Sequence, residues 1–357
     1  MTHAYINRIG TAVPDHEVHR FVLDFAASRL ANDPRRQAIF RRMADRMGIE
    51  HRYTSLIPAA DPFGACLDEA GDFRLGAFPG TAKRMDLFEA NAPALAMAAI
   101  ERLGLGDGLG DVTHLVVTSC TGFSAPGIDL EIVARCGLRS SVERTLIGFM
   151  GCYAAINALK AARHIVRSEP ASRVLVVNVE LCTLHLKESD DLKKLLSFCL
   201  WGDGCAAALV TAEAEGLRLD RFHALLASGG RDLMTWNVRD DGFDMVLSGQ
   251  VPNAIQEVLR DRCDAVLGGL DVGAIDVWAV HPGGRSVLDA VERALDLEPD
   301  ALERSRKVLR DNGNMSSATV MFVLEAILHE KVGGRAGCAM AFGPGLTAET
   351  LRFEQVE

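Results

Sequence analysis

The run GCYAAINALKAARHIV, Gly151 to Val166, has a counterpart 162 residues later in GNMSSATVMFVLEAIL, Gly313 to Leu328. Both read as apolar helices opening at a glycine. Their surroundings match too. Before them stand GDVTHLVV (Gly110 to Val117) and GAIDVWAV (Gly273 to Val280), 163 residues apart, and after them RVLVVNVE (Arg173 to Glu180) and AGCAMAFG (Ala336 to Gly343), again 163 apart. These four are short, apolar and bounded by glycine or polar residues, as strands covered on both faces are. Strand, helix and strand recurring in one order at near-constant spacing is the trace that two copies of one α/β unit leave. The chain is therefore read as α/β, with two similar halves over residues 1–215 and 216–357. The seam lies in the polar passage around Ala212 to Leu219.

With 357 residues and 48% apolar composition, the chain exceeds what one hydrophobic core usually serves, in keeping with two fused units. A formal net charge of −10, without any long run of like charge, argues against nucleic-acid or polybasic membrane binding and leaves small molecules or protein as partners. No apolar stretch reaches the roughly 20 residues of a membrane helix, and MTHAYINRIG lacks the charged-then-apolar order of a signal peptide. A cytoplasmic location without a membrane span is expected. The nine cysteines are scattered, with no CxxC pair, so neither a disulfide framework nor a metal site is expected.

The duplication gives Cys152 and Asn314 the same position, just after the glycine that opens each helix. A pseudo-twofold would bring them together. Two facing helix N-termini would then gather backbone N–H groups and positive dipole ends, a setting expected to lower a thiol pKa and to hold a developing oxyanion. His281 follows GAIDVWAV at the carboxyl end of its strand, where α/β proteins place ligands. Singly, such residues are commonly a small core thiol, a hydrogen-bonding histidine and a helix cap. As a set they are chemically complete. Imidazole takes the thiol proton, and imidazole and amide N–H groups hold a thioester oxygen as it becomes anionic.

GFMGCYAA, VWAVHPGG, NGNMSSAT and AMAFGPGLTAET resemble, in order and spacing, the nucleophile, histidine, asparagine and Gly-Pro-Gly signatures of type III polyketide synthases, the chalcone-synthase-like family. SCTGFSAPG and WGDGCAAALV extend the likeness, which runs from about Arg41 to Thr350. The resemblance implies a thiolase fold, a duplicated five-layer αβαβα architecture, and a homodimer. It implies Cys152, His281 and Asn314 as the catalytic set: an acyl-CoA loads on Cys152, and malonyl-CoA is decarboxylated to extend it. Coenzyme A thioesters are then substrates, and no resident cofactor is required. The β-ketoacyl-ACP synthase III enzymes share the triad types but differ around the histidine and asparagine. A single condensation of that kind, or thioester hydrolysis, is the alternative.

Further positions carry over by the same resemblance. Arg42 and Arg46 match cationic positions that grip CoA phosphates, with Ile39 where a third basic residue is usual. Cys120, Thr121, Cys182, His185 and Ser316 fall at cavity positions. Trp201 and Met245 replace two gatekeeping phenylalanines. Gly283 and Gly284 follow the histidine in HPGG, and Gly343, Pro344 and Gly345 form the cyclisation-pocket loop. Ala125 stands where a methionine often crosses into the partner's cavity. CTGF and ELCTLH resemble bacterial members that make alkylpyrones or alkylresorcinols, implying an aliphatic starter and a pyrone or resorcinol product.

Overall fold

The computed structural model describes residues 2–356. The first half contributes β1 (Tyr5–Ala12), β2 (His16–Glu17), α1 (His19–Ser28), α2 (Pro34–Ala44), β3 (Tyr53–Thr54), α3 (Thr81–Glu101), β4 (His114–Ser119), α4 (Ile128–Cys136), β5 (Glu143–Gly148), α5 (Ala154–Ser168), β6 (Val174–Leu181), α6 (Leu192–Phe198) and β7 (Asp203–Thr211). The second adds β8 (Gly216–Leu226), β9 (Met234–Arg239), β10 (Gly242–Leu247), α7 (Val251–Leu267), β11 (Val277–Val280), α8 (Arg285–Leu295), α9 (Glu303–Asn312), α10 (Thr319–His329), β12 (Ala336–Gly343) and β13 (Thr347–Val356).

Nine strands form one sheet in the order β11-β12-β13-β8-β1-β7-β6-β4-β5. Outward from its middle the two halves repeat one another. β1 pairs β7 and β8 pairs β13, both antiparallel; β7 pairs β6 and β13 pairs β12, again antiparallel; then β4 runs parallel to β6, and β11 parallel to β12. The halves meet where Tyr5 and Ile6 of β1 face Arg218 and Leu217 of β8. The matched sequence runs are β4 with β11, β6 with β12, and α5 with α10. Among the described residues, β5 is the one strand of the nine-stranded sheet without a counterpart.

Strand periodicity divides the core into layers. On β6, Val174 and Val176 point into a central core, while Leu175, Val177, Val179 and Leu181 point into an outer one. On β12, Ala339 and Ala341 face the same central core, and Cys338, Met340 and Phe342 face a third. α5 and α10 fill the central core, α3 and α4 cover the first half-sheet, and α7 and α8 cover the second. The order is αβαβα, as expected. α2 starts where Pro34 supplies a preset φ at the first helical position and the Asp33 carboxylate accepts from Arg36 N at 3.0 Å.

Candidate active site

Cys152 sits in a single 3-10 turn, Gly151–Tyr153, that leads into α5, and its side chain is buried. Gly151 has a left-handed φ of 75°, and a Cβ there would lie 2.2 Å from Pro344 Cδ, so only glycine lets the turn close against the β12–β13 connection. The expected lowering of the thiol pKa is overturned. Burial pushes Cys152 up to about 12; hydrogen bonds with Ser316 and Asn314 pull the other way without offsetting it. Losing water outweighs the partial charge of a helix end.

Asn314 comes close to Cys152 by a different route from the one expected. α10 begins only at Thr319, so Asn314 stands in extended backbone rather than at a helix start. It forms a parallel bridge with Trp201: Asn314 N donates to Leu200 O at 2.8 Å, and Gly202 N donates to Asn314 O at 3.0 Å. Its side chain is fixed at both ends. Oδ1 accepts from Ser316 N at 2.9 Å and Nδ2 donates to Gly283 O at 3.2 Å, which holds the amide near enough to Cys152 to favour its thiolate.

His281 follows β11 directly, and its N–H donates to Met340 O at 2.8 Å on β12. Its ring is buried, and among the described residues neither ring nitrogen has a hydrogen-bond partner. Burial pushes its pKa down to about 3, which keeps it neutral with one N–H to give. A side chain on Gly283 would lie 3.7 Å from Nε2, so the glycine leaves that edge of the ring open. Gly284 caps α8.

Cys152 opens onto a narrow cavity of about 20 Å³. Of the residues picked from sequence, Cys120, Thr121, Cys182, Trp201, Met245, Ser316 and Pro344 line it. Gly343 and Gly345 flank Pro344, and Gly343 packs on the Tyr153 ring. His185 does not line the cavity. Its Nε2 bonds Thr121 O at 2.6 Å, its Nδ1 accepts from Phe243 N at 3.1 Å, and its ring stacks on Phe243 at 4.0 Å. Arg42 and Arg46 are exposed at the end of α2 and beyond, away from the cavity.

Three groups in or beside the cavity were missed in sequence. Met234 and Trp236 of β9 line it, and Trp236 Nε1 donates to Cys120 O at 2.7 Å. Trp236 faces Met245 across the β9–β10 hairpin, so the DDG turn at Asp240 to Gly242 would have placed it once Met245 was singled out. The third is Glu180, wholly buried at the end of β6. It accepts from Cys120 N and Thr121 Oγ1 at 2.9 Å and from Ser317 Oγ at 2.5 Å, and burial raises its pKa to about 7. A carboxylate ending a valine-rich strand was the available signal.

Residues 1–214 match the N-terminal domain of chalcone and stilbene synthases, and residues 224–357 match their C-terminal domain. The alpha-pyrone synthesis polyketide synthase-like Pks18 of Mycobacterium tuberculosis is 33% identical over 99% of this chain and 91% of its own. Bisdemethoxycurcumin synthase of Oryza sativa is also 33% identical, over 98% of this chain and 91% of its own. Among solved structures, PKS-I from the brown alga Ectocarpus siliculosus superposes with a TM-score of 0.88 at 29% identity, covering 100% of this chain and 99% of that one. Two family models that together span nearly the whole chain, on a fold with duplicated half-sheets, fix the assignment: the chain belongs to the chalcone and stilbene synthase family of type III polyketide synthases, transferases that catalyse decarboxylative Claisen condensation.

Proposed function

We propose that Cys152, His281 and Asn314 carry this reaction on coenzyme A thioesters. The observation that carries the reading is His281: a buried imidazole whose two nitrogens have no partner among the described residues, linked through Gly283 to the Asn314 amide, which lies beside Cys152. An unsatisfied buried polar group is costly unless something uses it. In the loading step Cys152 Sγ attacks the acyl-CoA carbonyl, His281 takes the thiol proton, and the CoA thiolate leaves with that proton. Malonyl-CoA then loses CO2. The electron pair of the broken C–C bond passes into an enolate, whose oxygen accepts from His281 and Asn314. The enolate carbon attacks the Cys152 thioester, the C–S bond breaks, and a β-ketoacyl-CoA two carbons longer returns to Cys152 for the next round. The thioester itself acidifies the reacting carbon, so no resident cofactor is needed.

An aliphatic starter and a pyrone or resorcinol product fit the walls. Trp201, Met234, Trp236, Met245 and Pro344 are apolar, and the two unbranched methionines can swing aside for a growing chain. The exposed Arg42 and Arg46 make no ion pair among the described residues, which leaves both guanidinium groups free for the CoA phosphates. The two halves, 1–215 and 216–357, supply the nucleophile and the His–Asn pair respectively. Homodimerisation is supported by the outermost strand β5 and the exposed Leu130, Leu146 and Met150 beside it. The chain acts in the cytoplasm; no helix among the described residues is long and apolar enough to cross a membrane.

The test is a panel of acyl-CoAs with radiolabelled malonyl-CoA, read by product mass. Cys152→Ala should abolish labelled products, and Asn314→Ala should lower decarboxylation by about 100-fold. Incorporation undiminished in Cys152→Ala would overturn the assignment. Strict dependence on an acyl carrier protein with one round only, or CoA release that needs no malonyl-CoA, would point to the alternatives instead.

A further inference from the structure

Arg52, immediately before β3, is 1% exposed, and its guanidinium makes no ion pair among the described residues, with the Glu17 and Asp203 carboxylates acting on it only at longer range. Its Nη1 donates to Phe198 O at 3.1 Å and Trp201 O at 2.8 Å, and its Nε donates to His19 Nδ1 at 3.0 Å. Nη2 bonds nothing among the described residues. Burying a guanidinium with no opposite charge in contact is expensive, and here burial outweighs the distant Glu17 and Asp203; a methionine would fill similar space without that cost. His19 must be neutral to accept, and burial with the neighbouring Arg52 charge holds its pKa down to about 4.

The groups that Arg52 touches are the ones that hold Asn314. Phe198 O and Trp201 O bracket the turn whose Leu200 O accepts from Asn314 N, and Gly202 N just beyond returns a bond to Asn314 O. The aliphatic stem closes the other side. A Cβ on Gly313, whose φ is 69°, would lie 2.7 Å from Arg52 Cγ, and one on Gly202 would lie 3.6 Å from Arg52 Cβ. Arg52 does not itself line the cavity; it reaches that wall only through the backbone carbonyl of Trp201.

From this we infer that Arg52 is a positioning residue. It clamps the 198–202 turn against Gly313, sets where the Asn314 amide stands, and fixes the backbone of the gate residue Trp201. The inference rests on the role proposed above for Asn314. It separates two half-reactions that a general loss of structure would not. Malonyl-CoA decarboxylation uses Asn314 directly, whereas acyl transfer to Cys152 depends chiefly on the thiol and His281, with Asn314 a lesser influence on the thiol than burial or Ser316.

The experiment compares Arg52→Lys and Arg52→Met with wild type. Three quantities are measured: release of labelled CO2 from carboxyl-labelled malonyl-CoA without starter, the rate of Cys152 acylation by mass shift, and the ladder of products. Decarboxylation kcat should fall by about tenfold or more in Arg52→Met, since a misplacement near 1 Å costs that much, with acylation changed by less than about threefold. Arg52→Lys keeps one donor and should lie between; if the Met variant does not fold, the Lys variant carries the comparison. The ratio of short to long products should shift in both, because Trp201 is no longer pinned. Equal losses in decarboxylation and acylation, or no loss in either, would overturn the inference. Asn314→Ala serves as the reference. If it loses decarboxylation while the Arg52 variants do not, only the positioning role fails; if it decarboxylates normally, the role of Asn314 fails first.

Discussion

At the scale of single residues, burial alone leaves the Cys152 thiol and the His281 imidazole both uncharged at neutral pH, one pushed up to about 12 and the other down to about 3. Moving the proton from sulfur to nitrogen makes two charges, each of which the dry site disfavours, and in the proposed mechanism their mutual attraction offsets part of that cost, since an adjacent opposite charge is worth about 1–3 pKa units. A raised thiol pKa means that alkylation climbs with pH as thiolate forms, and an imidazolium partner moves that climb to lower pH. His281→Ala should therefore raise the pH midpoint of iodoacetamide labelling at Cys152 by at least about one unit; an unmoved midpoint would show that the pair is not coupled. Burial raises Glu180 as it raises Cys152, here with a consequence for stability. Its folded pKa of about 7 lies above the ordinary 4.5, so its contribution to stability is full below about pH 4.5 and is lost as pH rises through 7. The shift corresponds to about 3 kcal/mol across that window. Asp203 shifts the same way, to about 6, so the quantity to compare is the urea midpoint of wild type against Glu180→Gln at pH 5 and pH 8. The variant should show the flatter dependence, and parallel slopes would exclude Glu180 as the cause.

At the scale of elements, the β9–β10 hairpin is a separate two-stranded sheet that walls the cavity. It is tied back to α3, where Thr81 Oγ1 accepts from Gly242 N at 2.8 Å and Thr81 N donates to Asp240 O at 2.8 Å. Trp236 projects from it as the largest side chain on the cavity wall besides Trp201, braced by Cys120 O. Trp236→Ala should lengthen the product ladder by about one malonyl unit or admit longer starters, since removing an indole opens well over the volume of two methylenes. Trp236→Phe keeps most of the bulk, loses one hydrogen bond worth about 1 kcal/mol, and should leave the ladder near wild type. Identical ladders in wild type and Trp236→Ala would show that another wall sets the limit. This hairpin also shows where sequence reading ran short. Met245 could be placed by resemblance, but its partner Trp236 follows only when the DDG turn at Asp240 to Gly242 is taken to set the cross-strand register. His185 failed for a similar reason: its position in ELCTLHL is right for a cavity residue, but the 3-10 turn at Cys182–His185 aims its ring at Phe243.

For the whole molecule, the duplication was readable because buried strands and helices keep their apolar pattern at fixed spacing. The repeated runs became β4 and β11, α5 and α10, β6 and β12 in mirrored places. The one-to-one match of Cys152 with Asn314 was less exact than the spacing suggested, since tertiary bonds to Leu200 and Gly202 hold Asn314 in extended backbone and delay its helix by several residues. What the halves share is the central core, and that has a thermodynamic consequence. On α10, Val320, Met321, Val323, Leu324 and Ile327 are all fully buried in the cluster that also takes Ile156 and Leu159 of α5 and strands of both half-sheets. Burying five such side chains stabilises by about 10 kcal/mol, as much as the whole net stability of an ordinary domain. Neither half can open without exposing the shared layer, so residues 1–215 and 216–357 should unfold together. Hydrogen exchange read by mass spectrometry through a urea series tests this. Peptides from β6 and β12 should lose protection at the same urea concentration, and calorimetric and van't Hoff enthalpies should agree per cooperative unit. Loss of β12 protection at lower urea, with β6 still closed, would mean that the halves are separate units joined only at β1 and β8.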